Sequence, residues 1–96
     1  MALSDKYVTD QMVFLNSNIQ TLISNSGGNT PAVMLALKEK FNLTDDDIDV
    51  ISYLYSDGPS AIFDIGYDLR NPLITSVISR LKKKQLVWVE GDQHEL

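Results

Sequence analysis

Residues 71–84 read NPLITSVISRLKKK, and here the hydroxyl and cationic groups are spaced so that they can act together. Five of the eight Lys and Arg residues fall between Arg70 and Lys84, with no acid among them. Ile74, Val77, Ile78 and Leu81 follow the three-four spacing of a helix face that turns inward. Thr75, Ser76, Ser79, Arg80, Lys82 and Lys83 are then left on the outer side. Small hydroxyl residues let a helix approach a polyanion closely and bond phosphates or base edges. Arg80 carries the fork of donors that pairs with guanine, a contact that contributes about 1–3 kcal/mol of discrimination. The lysines would hold phosphates and make binding salt-dependent. With Asn71 and Lys84, these residues form the candidate DNA-binding set. The competing reading is that Lys82, Lys83 and Lys84 only complement the negative end of the helix dipole.

The charge of the rest of the chain is opposite. Net charge is −5, which by itself argues against a phosphate-bearing partner. Yet seven aspartates and no cation lie between Thr44 and Asp68, and three further acids follow from Glu90 onward. A bipolar molecule is expected, and its basic patch acts within a Debye length of roughly 8 Å at physiological salt.

The 96 residues suit a single domain with one core. No apolar run reaches the length of a membrane span, and the amino terminus lacks the basic-then-apolar pattern of a secretory signal. With no cysteine, disulfides and thiolate zinc sites are excluded, in keeping with a cytoplasmic location. Asp45, Asp46, Asp47 and Asp49 diverge around a helix start and are read as helix-dipole partners, not as a metal site. His94 is the only histidine and has no second ligand to join it. No nucleophile-and-base pair or Gly-rich phosphate loop is present, so neither an enzyme nor a cofactor is expected.

The elements that must position this face are read as follows. Val8, Met12, Leu15, Ile19 and Leu22 are spaced by four, three, four and three, which predicts one long helix over 4–25 with a seam suited to dimerisation. The polar loop 24–29 ends it. Thr30 and Pro31 open a second helix that buries Val33, Met34, Leu37 and Phe41. Thr44 with Asp47 forms a capping box for a third, whose inner face is Ile48, Ile51, Leu54 and Tyr55. A short extended piece at Ser60 and Ala61 precedes a brief helix with Ile62, Ile65 and Leu69 inward. Asn71 caps the basic helix and Pro72 takes its first position. Residues 86–90 form a strand with Trp88 in the core, 91–93 a turn, and 94–96 a return strand.

From Leu43-Thr44-Asp45 through Pro59, and then through Thr75-Ser76-Val77-Ile78-Ser79-Arg80-Leu81 and Lys83-Lys84-Gln85-Leu86-Val87, the chain resembles the winged helix-turn-helix core of the MarR type. The resemblance implies a mainly α domain with a small β-hairpin wing, its core at 43–96 preceded by a two-helix extension at 4–42. It further implies a DNA-binding transcriptional regulator that acts as a homodimer on double-stranded DNA, with 72–84 as recognition helix. Three features depart from that pattern. Gln85 stands where a glycine usually ends the helix, the turn at Arg70-Asn71 is short, and the wing is acidic, with Glu90, Asp92 and Glu95. The alternative expectation is a protein-interaction module that docks a basic partner on its acidic surface, without direct DNA binding.

Overall fold

The amino-terminal stripe does not form one helix. In the computed structural model, which describes residues 11–90, the chain enters as strand β1 (Met12–Leu15) and only then turns into helix α1 (Ser17–Asn25). The run Met-Val-Phe-Leu satisfies a strand as well as a helix, since an unbroken apolar run carries no period of its own. Here Val13 and Leu15 point inward, while Met12 and Phe14 are half-buried on the other face. Asn16 ends the strand, its side chain accepting from the Asn18 N–H at 2.9 Å. Leu15 and Ile19, expected in a dimer seam with Met12 and Leu22, are buried in this chain's own core. They lie on two different elements, and Val8 lies outside the described residues.

Two helices start where their caps predict. Helix α2 (Pro31–Phe41) is capped by the Thr30 hydroxyl, which accepts from the Val33 N–H at 3.2 Å. Helix α3 (Asp45–Asp57) opens on the complete Thr44–Asp47 capping box. Strand β2 (Ser60–Ala61) leads into α4 (Ile62–Leu69), and the turn at 70–73 leads into α5 (Ile74–Lys83). Strand β3 (Val87–Val89) follows. Five helices account for 64% of the described residues. No helix among them is long and apolar enough to cross a membrane.

The sheet is antiparallel in the order β2-β1-β3, so the amino-terminal strand is its centre. Phe14 pairs with Trp88, and Val13 lies between Ser60 and Val89. The partner of β3 is therefore a strand from the far end of the chain. The expected hairpin turn and return strand at 91–96 lie outside the described residues. Trp88 is not core. It is 43% exposed on the outer sheet face, stacked on Phe14 with ring centroids 4.1 Å apart. Its neighbours Val87 and Val89 point the other way and are buried, as strand alternation requires.

The core gathers Val13 and Leu15 from the sheet, Ile19 and Ile23 from α1, and Val50, Ile51 and Leu54 from α3. Ile65 of α4 and Val77, Ile78 and Leu81 of α5 join them, as do Met34 and Leu37 of α2 and Val87 and Val89 of β3. Burial of each such side chain favours the fold by about 1.5–3 kcal/mol relative to exposure. Helices α4 and α5 meet closely at Gly66, where a Cβ would lie 2.7 Å from Ile74 Cγ2. Helix α5 ends on Gln85 in the left-handed conformation, φ 63°. The Leu86 N–H donates to Leu81 O at 3.1 Å and the Gln85 N–H to Lys82 O at 3.0 Å, so the helix closes as a Schellman motif without glycine.

Candidate nucleic-acid interface

Helix α5 presents the expected sidedness. Ile74, Val77, Ile78 and Leu81 are buried, and Thr75, Ser76, Ser79, Lys82, Lys83 and Lys84 are exposed. Thr75, Ser76, Ser79, Arg80 and Lys83 line one shallow concavity of about 450 Å³. Thr75 also lines a larger groove of about 830 Å³ at the α4–α5 corner, shared with Phe63, Tyr67, Arg70 and Asn71. The two depressions therefore meet at Thr75. Phe63 and Tyr67 form the groove's aromatic rim, stacked with centroids 6.2 Å apart.

The start of α5 lies later than the Asn71-Pro72 signal suggests. The helix begins at Ile74, and the Asn71 Oδ1 accepts from the Leu73 N–H at 2.9 Å within the preceding turn. Leu73 O in turn accepts from the Ser76 and Val77 N–H groups. Leu73 itself, the residue just ahead of the helix, is 67% exposed. Its sequence signal is an aliphatic residue one position ahead of the inward 74-77-78-81 pattern; that phase places it outside the core.

Arg80 departs most from expectation. Its Nη2 donates to Asp47 Oδ1 at 2.8 Å, and its Nε lies 3.2 Å from the same oxygen. Nη2 is also 3.4 Å from the Thr44 hydroxyl. The fork expected to read guanine is thus directed at the start of α3. Asp47 is fully buried, and its other oxygen accepts from the Thr44 N–H at 2.9 Å. Burial alone would raise the Asp47 pKa. The hydrogen bond from Arg80, that from the Thr44 N–H, and the Arg80 charge outweigh burial and hold it below the ordinary value of 3.8. The same pairing raises the Arg80 pKa, so this guanidinium stays charged.

The lysines differ among themselves. Lys84 Nζ donates to Phe41 O at 3.3 Å, so it closes the carbonyl end of α2, not that of its own helix. Lys83 lines the hydroxyl concavity. The acidic start of α3 lies close by: Asp45 holds Lys38 at 2.6 Å, and Asp46 adds to the field on Arg80. Asp49 is raised above 3.8 by burial, and then by the charges of Asp46 and Asp45. Among the described residues, no group of three or more His, Cys, Asp or Glu could hold a metal ion.

This arrangement can offer hydroxyl donors and acceptors, a cation and a leading aliphatic group along one helix. Comparison with protein-family models, curated proteins and solved structures gives no match.

Proposed function

We propose that this chain binds duplex DNA through the outer face of α5, as a winged helix-turn-helix of MarR-like type acting in transcriptional control. The carrying observation is the sidedness of α5. Its aliphatic side is buried in the core while Thr75, Ser76, Ser79 and Lys83 stand together at the surface. The element order α3, β2, α4, α5, β3 supports the winged-helix reading. In this reading β1 takes the sheet centre that a return strand of the wing would otherwise contest. Lys82 and Lys83 contact phosphates, and the hydroxyl residues enter the major groove. Arg80 acts as a positioning residue that fixes α5 on α3. Because Leu15 and Ile19 serve this chain's own core, one copy carries the contact set without the amino-terminal seam expected for a homodimer, and its role is binding.

Fluorescence anisotropy against a random duplex at two salt concentrations tests it. Micromolar, salt-sensitive binding is expected. The change Ser79→Glu with Lys83→Glu should abolish binding while the circular dichroism spectrum stays native. Unchanged affinity and salt slope in that variant would falsify the assignment of the face.

The acidic surface favours a second reading. Asp45, Asp46 and Asp49 are exposed together at the start of α3, and their mutual repulsion contributes to the raised Asp49 pKa. Such a face would accept a basic protein partner. Absence of duplex binding even at low salt selects this reading over the first.

A further inference from the structure

Phe63 and Tyr67 of α4 are 57% and 74% exposed, two large aromatic side chains that the core does not use. They stand four residues apart on one side of the helix, and their rings stack with centroids 6.2 Å apart. Three residues further on, Arg70 caps α4 in the left-handed conformation, φ 53°, where glycine or asparagine would carry less strain. Its side chain is exposed and has no hydrogen bond or ion pair among the described residues. Strain at a residue whose side chain gains nothing inside the fold points to a role outside it. All three residues line the groove of about 830 Å³ at the α4–α5 corner.

The chemistry of that groove differs from that of the hydroxyl concavity beside it. Of its lining residues only Arg70 and Asp68 are charged, one of each sign, and the Asp68 Oδ2 is held by the Tyr53 hydroxyl at 2.5 Å. Such a groove suits one uncharged aromatic group joined to a single anion, not a run of phosphates. Asn71 lines it too, and its Oδ1 is engaged by the Leu73 N–H, which leaves its Nδ2 donors. A nucleobase with its own phosphate matches this set: aromatic rings for stacking, an amide donor for the base edge and a guanidinium for the phosphate. The groove meets the hydroxyl concavity at Thr75, so a strand lying along α5 can continue into it. A base inside a duplex has both faces covered by its neighbours. Only an unpaired one can turn a face to Phe63 and Tyr67.

We infer that the groove takes an unpaired nucleotide next to the duplex, its base stacked on the Phe63–Tyr67 pair and its phosphate at Arg70. The inference rests on the DNA-binding reading of α5 and adds the class of DNA preferred, a junction between double and single strand.

The test uses the full chain and three labelled hairpin duplexes: one blunt, one with a short unpaired dT tail, and one with an abasic tail of equal length and charge. Tails are placed at either end of the hairpin strand, and binding is read by anisotropy at low salt. The dT-tailed hairpin should bind about ten-fold tighter than the abasic-tailed one, within what stacking of one base supplies. Phe63→Ala with Tyr67→Ala, both at exposed positions, should bring that ratio close to one while the circular dichroism spectrum stays native. Arg70→Gly, which suits the left-handed backbone, should weaken binding of the tailed hairpin and lower its salt dependence. Equal affinity for dT and abasic tails overturns the inference and, where the blunt hairpin binds, leaves duplex binding standing. A preference for dT that survives the double change places the stacking elsewhere, as on Trp88, and also overturns it. A double variant that alters light scattering but not the ratio assigns the aromatic pair to self-association, with the same consequence. No binding of any hairpin at low salt overturns both this inference and the DNA-binding proposal.

Discussion

Arg80 of α5 reaches Asp47 of α3 at 2.8 Å, and the two ends of this pair differ sharply in exposure: the Asp47 side chain is 1% exposed, that of Arg80 41%. Asp47 is therefore the constrained partner. It closes the capping box on Thr44 and at the same time anchors the helix carrying the candidate interface. Asp47→Ala removes the carboxylate half of the capping box together with the anchor, while the Thr44 hydroxyl still caps the residue 47 N–H, and is expected to destabilise the fold by about 2–4 kcal/mol. Arg80→Ala leaves a buried carboxylate with only its Thr44 partners. Solvent already screens the exposed Arg80 end, so the expected cost is smaller, about 1–2 kcal/mol. Urea unfolding of both single variants and the double variant should yield a coupling of about 1 kcal/mol. Strictly additive losses would mean that the pair contributes nothing beyond its separate contacts.

The same pair sets the sign of the acid response. Asp47 has a folded pKa depressed below 3.8, so its contribution is fully present above the unfolded value and is lost as pH falls through the folded one. Asp49 has the opposite sign. Its folded pKa is raised, so its charge is unfavourable to the fold at neutral pH and that cost is relieved on protonation. Between pH 7 and pH 4, stability should hold or rise slightly. Below about pH 4 it should fall, and Asp47→Asn should flatten that fall. Denaturant midpoints across pH 2–7 provide the check. A fall of equal steepness in Asp47→Asn would remove Asp47 from the account.

Tyr53 provides a separate alkaline signal. Its hydroxyl donates to Asp68 Oδ2 at 2.5 Å, joining α3 to the end of α4. That hydrogen bond, with burial and the Asp68 and Asp57 charges, raises its pKa to about 12. The neutral phenol is the form the fold favours, so its contribution is present below the ordinary value of 10.0 and disappears as pH rises toward about 12. Absorbance at 295 nm should resolve a late-titrating tyrosine that is missing in Tyr53→Phe. In Asp68→Asn its midpoint should fall toward the ordinary value.

Gly66 fixes how closely α4 and α5 approach. A methyl group there would sit 2.7 Å from Ile74 Cγ2 and 3.1 Å from Ile74 Cβ. Both atoms belong to a buried, β-branched side chain with little freedom to turn away. Gly66→Ala is expected to cost about 1–3 kcal/mol and to tilt α5 against α4. Adding Ile74→Ala removes the obstructing atoms, so the double variant should lose less than the sum of the two single losses. Thermal unfolding of the four species measures this directly.

Much of the site could be read in the sequence because α5 obeys one period throughout. Ile74, Val77, Ile78 and Leu81 are buried as their spacing requires, which places the hydroxyl and lysine residues outside. The Thr44–Asp47 box was equally legible, since a capping box is set by neighbours three residues apart. The second role of Asp47 was not. Its partner Arg80 is 33 residues away, and only the packing of α3 against α5 brings them together. Strand β1 was hidden for a different reason: Leu15, Ile19 and Leu22 continue its apolar run at helical spacing, so the break at Asn16 leaves the pattern intact. The outward position of Trp88 is not legible in the sequence because a strand with one wet face carries aromatics outward as readily as inward, and Phe14 stacks on it there.

Gln85 makes the last prediction, since it stands where a helix end favours glycine. Its φ of 63° is left-handed, a conformation that costs an L side chain roughly 1–2 kcal/mol. None of the bonds that hold it there uses the Gln85 side chain: its N–H donates to Lys82 O, the Leu86 N–H to Leu81 O, and its own carbonyl accepts from Asn16 Nδ2 at 3.1 Å. Gln85→Gly keeps every one of them and removes the Cβ strain. Part of the gain is offset by the greater freedom of glycine in the unfolded chain, about 0.5–1 kcal/mol. A net stabilisation of about 0.5–1 kcal/mol is therefore expected, seen as a higher urea midpoint with an unchanged slope. Asn16→Ala, by contrast, cuts the tie between β1 and the end of α5 and should lower the midpoint. Should Gln85→Gly also lower it, the Gln85 side chain must hold this corner through contacts that outweigh its backbone strain.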